Sequence, residues 1–289
     1  MAELLTGFAP AKLNLVLEVT GRRADGYHEI DTVLQTLELA DRVALGAGET
    51  GVGVSGPRAE GTPADETNLA WRAAVAMAAL AGESVDGLHI EIEKQISAAG
   101  GLGGGASDAA TVLRMLQRRW PGATDAALLE AANAIGSDEA FFLLGGTARA
   151  RGRGEIVTPL PDLPSHGVVL FVPRTTIKRK TARMFAALDA LPFDDGTVAA
   201  RFVERTPAAL DGTRIYNSFE RVAFDVFDGL ASIWQALEER TGEPVRLAGA
   251  GPTLFWIGAT GRASDIAERA RGVDCDVIET ATAESLWKP

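Results

Sequence analysis

The chain has 289 residues, of which 46% are hydrophobic and 23% charged, and it carries a net charge of −11. That length accommodates two ordinary domains with sizeable cores, while the acidic excess argues against a nucleic-acid surface and no window approaches the roughly 20 apolar residues that span a bilayer. Cys275 is the only cysteine, so an internal disulfide is excluded and a reducing, cytoplasmic setting is expected.

The N-terminal stretch MAELLTGFAPAKLNLVLEV is interrupted by Lys12 and lacks a cleavage-site pattern, so no signal peptide is expected. Residues 11–19 alternate as a strand: Leu13, Leu15 and Leu17 share one face, and Lys12, Asn14 and Val16 share the other. A polar turn over TGRRADGYHEI leads to a second strand, DTVLQTLEL, and VGVSG adds a short third. PADETNLAWRAAVAMAAL carries a helical stripe of Leu69, Ala73, Ala76, Met77 and Leu80, with Thr67 or Asn68 as its cap. LHIEIEKQI alternates as a strand. SDAATVLRMLQRRW spaces Ala109, Leu113, Leu116 and Trp120 as a helix, and another helix covers about 125–134. GSDEAFFLLGG reads as a loop entering a short apolar helical turn, and TARARG as a strand. Three prolines within 158–166 mark a linker. Beyond it GVVLFVP reads as a buried strand, and TARMFAALDAL and SFERVAFDVFDGLASIWQALEER as helices. VRLAGAGPTLFWIG reads as two strands around a glycine turn, followed by a helix near 262–271 and a strand at 275–279. Hairpins outnumber βαβ units, which predicts an α+β fold.

Residues 97–110, SAAGGLGGGASDAA, hold five glycines in the six positions from Gly100 to Gly105, between a strand and a helix. Glycines let successive backbone N–H groups point into one concavity, and the helix start adds partial positive charge; together these make a phosphate site. Ser107 is placed to cap the helix or to touch a phosphate. The loop ends Gly105-Ala106-Ser107 rather than Gly-Lys-Ser/Thr, so it is not a Walker loop. It lies about 100 residues into the chain with no acidic strand end some 20 residues later, so it is not a dinucleotide fingerprint either.

Taken with APAKLNL at the start and AGAGPTLF at 248–255, this loop resembles the three motifs of the GHMP small-molecule kinases, in the same order. Within that superfamily, PAKLNL at 10–15, GRRADGYHEI at 21–30, GLGGGASDAA at 101–110, IGSDEAFFLLGG at 135–146 and NSFE at 217–220 resemble the branch that acts on diphosphocytidyl-methylerythritol in non-mevalonate isoprenoid synthesis. The resemblance implies a two-domain α+β fold: residues 1–160 as an S5-like N-terminal domain and 161–289 as a ferredoxin-like C-terminal domain. It implies transfer of the γ-phosphoryl of ATP, with Mg²⁺, to the substrate's 2-hydroxyl. ATP would lie on Ser97, Ala98, Ala99, Gly100, Gly101, Leu102, Gly103, Gly104, Gly105, Ala106 and Ser107. Asp138 would accept or orient the hydroxyl proton, although an isolated Ser-Asp loop would more simply cap the helical turn that follows. Lys12 would hold that carboxylate ionised, Asn14 would line the same site, and Tyr27 and His28 would meet the cytidine end. Phe185 is available as a second aromatic on the cytosine.

His89 and His166 lack acidic or cysteine partners at ligand spacing, so no structural metal is expected. Five positions depart from the family pattern: Ser97 replaces a proline, Ala106 a serine, Glu139-Ala140 a Val-Pro pair, and Ala250 a Ser or Thr. Glu139 would either raise the pKa of Asp138 or face solvent. Backbone N–H donors survive such changes. The expected partner is a small molecule, with neither nucleic acid nor membrane, for a monomer or homodimer. Another GHMP kinase, of the homoserine or mevalonate type, and a non-catalytic nucleotide-binding homologue stand as alternatives.

Overall fold

The computed structural model describes residues 4–175, 177–206, 210 and 214–284. Two long antiparallel strands, β1 (Leu5–Arg22) and β2 (His28–Ala47), form its backbone, joined by the polar turn at 23–27. β3 (Gly51–Ser55) and β4 (Leu88–Glu93) pair in parallel, and β4 lies against the second half of β2. Between them runs α1 (Leu69–Ala81), whose cap is Asn68: its Oδ1 accepts the Ala70 N–H at 2.9 Å. Residues 63–67 stay outside this helix because Asp65 Oδ1 takes the backbone N–H and hydroxyl of Thr67 in a local turn. Then come α2 (Gly104–Arg119), α3 (Asp125–Ile135), α4 (Glu139–Leu144), β5 (Thr147–Gly152) and β6 (Ile156–Pro159). β6 takes up the first residues of the predicted linker, so the connection itself is shorter than expected.

The second half of the chain supplies β7 (Gly167–Pro173), α5 (Lys180–Leu188), α6 (Thr197–Glu204), β8 (Tyr216–Asn217), α7 (Ala223–Val226), α8 (Leu230–Thr241), β9 (Arg246–Leu247), β10 (Leu254–Gly258), α9 (Ala263–Arg269) and β11 (Cys275–Ala281). The single long helix expected over 218–240 is broken into a 3₁₀ turn at Ser218–Arg221, α7 and α8, with Gly229 at φ +79° before α8. β7, β9, β10 and β11 form an antiparallel sheet in the order β11-β7-β10-β9, with helices between β7 and β9 and again between β10 and β11. That is the split βαββαβ arrangement. β8 leaves this half to pair in parallel with β1, extending the first sheet. No described helix is long and apolar enough to cross a membrane.

Three clusters of buried side chains arrange these elements in layers. Ala9, Leu34, Val43 and Leu45 of the first sheet pack under α1 to α4. Leu13, Leu15 and Val33, on its opposite face, meet Val168, Leu170, Phe255 and Ile257 of the second sheet. Val169, Phe171 and Trp256 then turn the other way, toward α5 and α7 to α9. β7 is buried on both faces, which is why it reads as an unbroken apolar run. Simple alternation fails at one place in β1. A register shift between Pro10 and Lys12 takes up two extra residues of β2, and one between Asn14 and Val16 inserts a single extra residue into β1 itself. That inserted residue reverses the facing of the side chains beyond it. Val16 therefore packs with Leu13 and Leu15 instead of sharing a face with Lys12 and Asn14, and Leu17 joins a different cluster.

Candidate active site

The bulged middle of β1 lies at the bottom of a cleft of about 1000 Å³. The glycine loop forms one wall. The Lys12 N–H donates to Leu102 O at 2.9 Å, docking the loop on the strand where the register shift has freed that donor. Gly101, at φ +89°, packs against the turn that follows β9: a Cβ there would lie 2.1 Å from Ala248 O. Asn217 braces that turn by donating to Leu247 O at 2.9 Å and Gly249 O at 2.8 Å. Gly103, at φ +77°, is the N-cap of α2, and its O accepts the N–H of Ser107 at 2.9 Å. Ser107 is therefore not the cap but lies within the helix, fully buried, with an unpartnered hydroxyl. The N–H groups of Gly104, Gly105 and Ala106 precede the first intrahelical bond and constitute the donor end of the helix.

Behind the loop lies a buried charge cluster. Lys94 Nζ donates to Asp108 Oδ2 at 2.6 Å and contacts Asp41 Oδ2, while Asp41 Oδ1 accepts the Gln95 and Ile96 N–H groups at 2.5 and 2.8 Å. The cluster ties the start of the loop to β2 and α2. Burial pushes the Asp108 carboxyl up to about 7 against the pull of Lys94.

Lys12 and Asn14 do share a face. Lys12 Nζ donates to Asn14 Oδ1 at 2.7 Å, Asn14 Nδ2 to Thr32 Oγ1 at 2.8 Å, and Thr32 Oγ1 to Val16 O at 2.6 Å. This relay fixes a buried ammonium 3.5 Å from Asp138 Oδ2. Asp138 occupies the N-cap position of α4, yet its side chain makes no capping bond and turns to the cleft, 37% exposed. Glu139, beside it, does not face solvent. It is buried, its Oε2 has no partner, and burial pushes its carboxyl up to about 7.

Tyr27 and His28 line the same cleft. The His28 ring stacks on Phe185 with centroids 4.2 Å apart and planes within 12°, and its Nε2 lies 2.6 Å from Asp189 Oδ1. Tyr27 is exposed, with the Arg153 guanidinium 5.3 Å above its ring. The cleft thus gathers Lys12, Asn14, Tyr27, His28, Asp138 and the loop residues Ser97 to Gly101 and Gly103 to Ala106. Leu102 and Ser107 do not line it: Leu102 points into the core between the sheets. Ser97 binds the Arg58 guanidinium through its hydroxyl at 2.9 Å.

Three residues of the site are not legible in the sequence. Asp189 carries no signal beyond its place one turn after Phe185. Asn217 is visible in NSFE without a role. Lys180 lies in the RTTIKRK charge run, where nothing distinguishes it from its neighbours. It is buried at the start of α5 and donates to Ala99 O at 2.6 Å and to Gly251 O.

Residues 68–146 match the sequence profile of the GHMP kinases N terminal domain. A 4-diphosphocytidyl-2-C-methyl-D-erythritol kinase of Dehalococcoides mccartyi is 40% identical over 258 residues, covering 88% of this chain and 89% of the relative. The enzyme of that name from Pelotomaculum thermopropionicum is 36% identical over 287 residues, covering 96% of this chain and 98% of its own. A crystal structure of 4-(cytidine 5'-diphospho)-2C-methyl-D-erythritol kinase superimposes with a TM-score of 0.76 at 33% identity, over 96% of this chain and 99% of the other. Sequence and fold agree across almost the whole length: the chain belongs to the 4-diphosphocytidyl-2-C-methyl-D-erythritol kinase family of the GHMP kinases.

Proposed function

We propose that this chain transfers the terminal phosphoryl group of ATP to the 2-hydroxyl of 4-diphosphocytidyl-2-C-methyl-D-erythritol, a step of non-mevalonate isoprenoid synthesis. The observation that carries the reading is one continuous cleft that three groups of residues line. They are the start of α2 with its free N–H groups, the Lys12–Asp138 pair, and the stacked His28 and Phe185 rings. In this reading the triphosphate lies on the N–H groups at the start of α2. Asp138 orients the acceptor hydroxyl and takes its proton as oxygen bonds to phosphorus, and ADP leaves with the electrons of the broken bond. Lys12 offsets the charge that develops in transfer. His28, Tyr27 and Phe185 hold the pyrimidine.

Mg²⁺ needs no cage of side chains, since it is bound through phosphate oxygens and few protein oxygens. Ser107 Oγ, though orphaned, is fully buried within α2 and does not line the cleft, so the ion would be held through the triphosphate oxygens, whose charge it would neutralise. We place the chain in the cytoplasm, which its single cysteine supports, and assign donor binding to residues 1–160 with 161–289 completing the cleft.

A coupled ADP-release assay with diphosphocytidyl-methylerythritol, mevalonate and homoserine tests the reading. Turnover of the first alone is expected, with a loss of about 10²–10⁴-fold in Asp138→Asn. Preference for mevalonate or homoserine, or unchanged turnover in the variant, contradicts it.

A further inference from the structure

Lys180 is a buried cation without a counter-ion. Its ammonium contacts two backbone carbonyls, Ala99 O in the glycine loop and Gly251 O in the turn after β9. Among the described residues no carboxylate forms a salt bridge with it. The charged groups it feels are Lys12 on β1, which repels it, and Asp138 at the start of α4, which attracts it but pairs with Lys12. A buried charge is costly unless paired, and carbonyl dipoles offset only part of the cost. Burial and Lys12 together push the Lys180 amine down to about 7.

The residue also lines the cleft. An ammonium has three N–H donors, of which the two carbonyls take two. The two carbonyls belong to loops that already touch at Gly101 and Ala248, so Lys180 closes a second bond across the same seam. Ala99 itself is held at φ +56°, a strained conformation for a residue with a Cβ, and its carbonyl is one that Lys180 binds.

We infer that Lys180 is a second cation of the phosphate site, whose counter-ion is the donor triphosphate and whose two carbonyl bonds lock the glycine loop against the turn after β9. The inference rests on the proposed kinase activity. It makes Lys180 a binding group that an incoming polyphosphate pairs, beside Lys12 rather than in place of it. The diphosphate of the cytidyl substrate is the other phosphate source in the cleft, and affinity arms for each substrate separate the two.

The test uses the full chain and titration calorimetry with a non-hydrolysable ATP analogue and, separately, with diphosphocytidyl-methylerythritol. Lys180→Gln retains two N–H donors for the carbonyls and removes the charge; Lys180→Arg retains the charge. Lys180→Gln is expected to lose ~10-fold or more in affinity for the analogue. Lys180→Arg recovers most of it, and affinity for the cytidyl substrate stays within about twofold. At pH 8 the wild-type chain takes up about one proton on binding the analogue, seen as a buffer-dependent enthalpy, and this uptake disappears in Lys180→Gln. Wild-type affinity in Lys180→Gln, or weakening toward the cytidyl substrate alone, overturns the inference. Should Lys180→Gln not fold, the absence of proton uptake in the wild-type chain overturns it instead. Failure of the kinase reading shows up separately, as a wild-type chain that does not turn over diphosphocytidyl-methylerythritol.

Discussion

Lys12 Nζ stands 3.5 Å from Asp138 Oδ2, across a gap between the middle of β1 and the start of α4. The two ends of this pair are held differently. Lys12 is buried and anchored through Asn14 and Thr32, whereas the Asp138 side chain is 37% exposed and takes no part in capping its helix. A fixed cation facing an accessible carboxylate suits a group that must meet a hydroxyl that comes and goes. Stability alone would favour the reverse, a carboxylate capping α4.

Lys12→Met tests that division of labour. It leaves Asn14 Oδ1 without its donor, at a cost of about 1–3 kcal/mol. It also removes the charge beside Asp138. A kcat fall of about 10²–10³-fold is expected, with KM for both substrates changed much less, because the charge matters most in the transition state. Steady-state kinetics with thermal melts check it. A melt lowered by a few degrees with kcat intact would make Lys12 a structural residue.

His28 and Phe185 form a stacked pair in the same cleft, with Asp189 on the imidazole. Stacking of a base on an aromatic ring is worth roughly 1–3 kcal/mol. Phe185→Ala is therefore expected to raise KM for the cytidyl substrate by about tenfold or more, leaving KM for ATP unchanged. Equal effects on both substrates would place the pyrimidine elsewhere.

The glycines of the loop are not equivalent. A Cβ at Gly101 would lie 2.1 Å from Ala248 O, on a backbone at φ +89°. At Gly105 it would meet nothing nearer than Leu69 Cδ1 at 3.3 Å, inside the first turn of α2. Gly101→Ala is expected to destabilise the fold by more than about 2 kcal/mol. Gly105→Ala gains up to about 1 kcal/mol of helix propensity but places a methyl where phosphate would approach, so it melts no lower than wild type and binds ATP analogue more weakly. Chemical denaturation and analogue titration of the two variants decide.

The difference between what residue order reveals and what it hides has a physical basis. Period-two spacing exposes the shared face of Lys12 and Asn14, and the glycine run exposes the phosphate loop, because both signals are local. The bulge that sends Val16 into the core between the sheets is also local, but no residue type marks it. The break at Gly229 lies inside a pattern whose apolar spacing otherwise continues as a helix. Lys180 is the hardest to foresee. Its partners are backbone carbonyls at 99 and 251, which every residue type supplies, so nothing in the side-chain sequence announces the contact.

Glu139 yields a prediction about pH. Burial raises its carboxyl from 4.5 to about 7, and Asp138 adds to the rise while Arg153 and Arg72 oppose it. Between those two values the folded chain binds more protons at this site than the unfolded chain does. The site's contribution is therefore fully present below about pH 4.5 and is lost as pH rises through 7. The buried Asp108, raised to about 7 despite its contact with Lys94, acts in the same direction, so one substitution removes only part of the slope. Glu139→Gln keeps the shape and cannot ionise. Urea unfolding at pH 5, 6, 7 and 8 is expected to show the variant close to wild type at pH 5, increasingly more stable from pH 5 to 7, and ahead by a margin that levels off by pH 8, with equal m-values throughout. A difference that stays constant across the series would mean that Glu139 is already charged at pH 5, and that the cleft reaches its orphaned Oε2 with water.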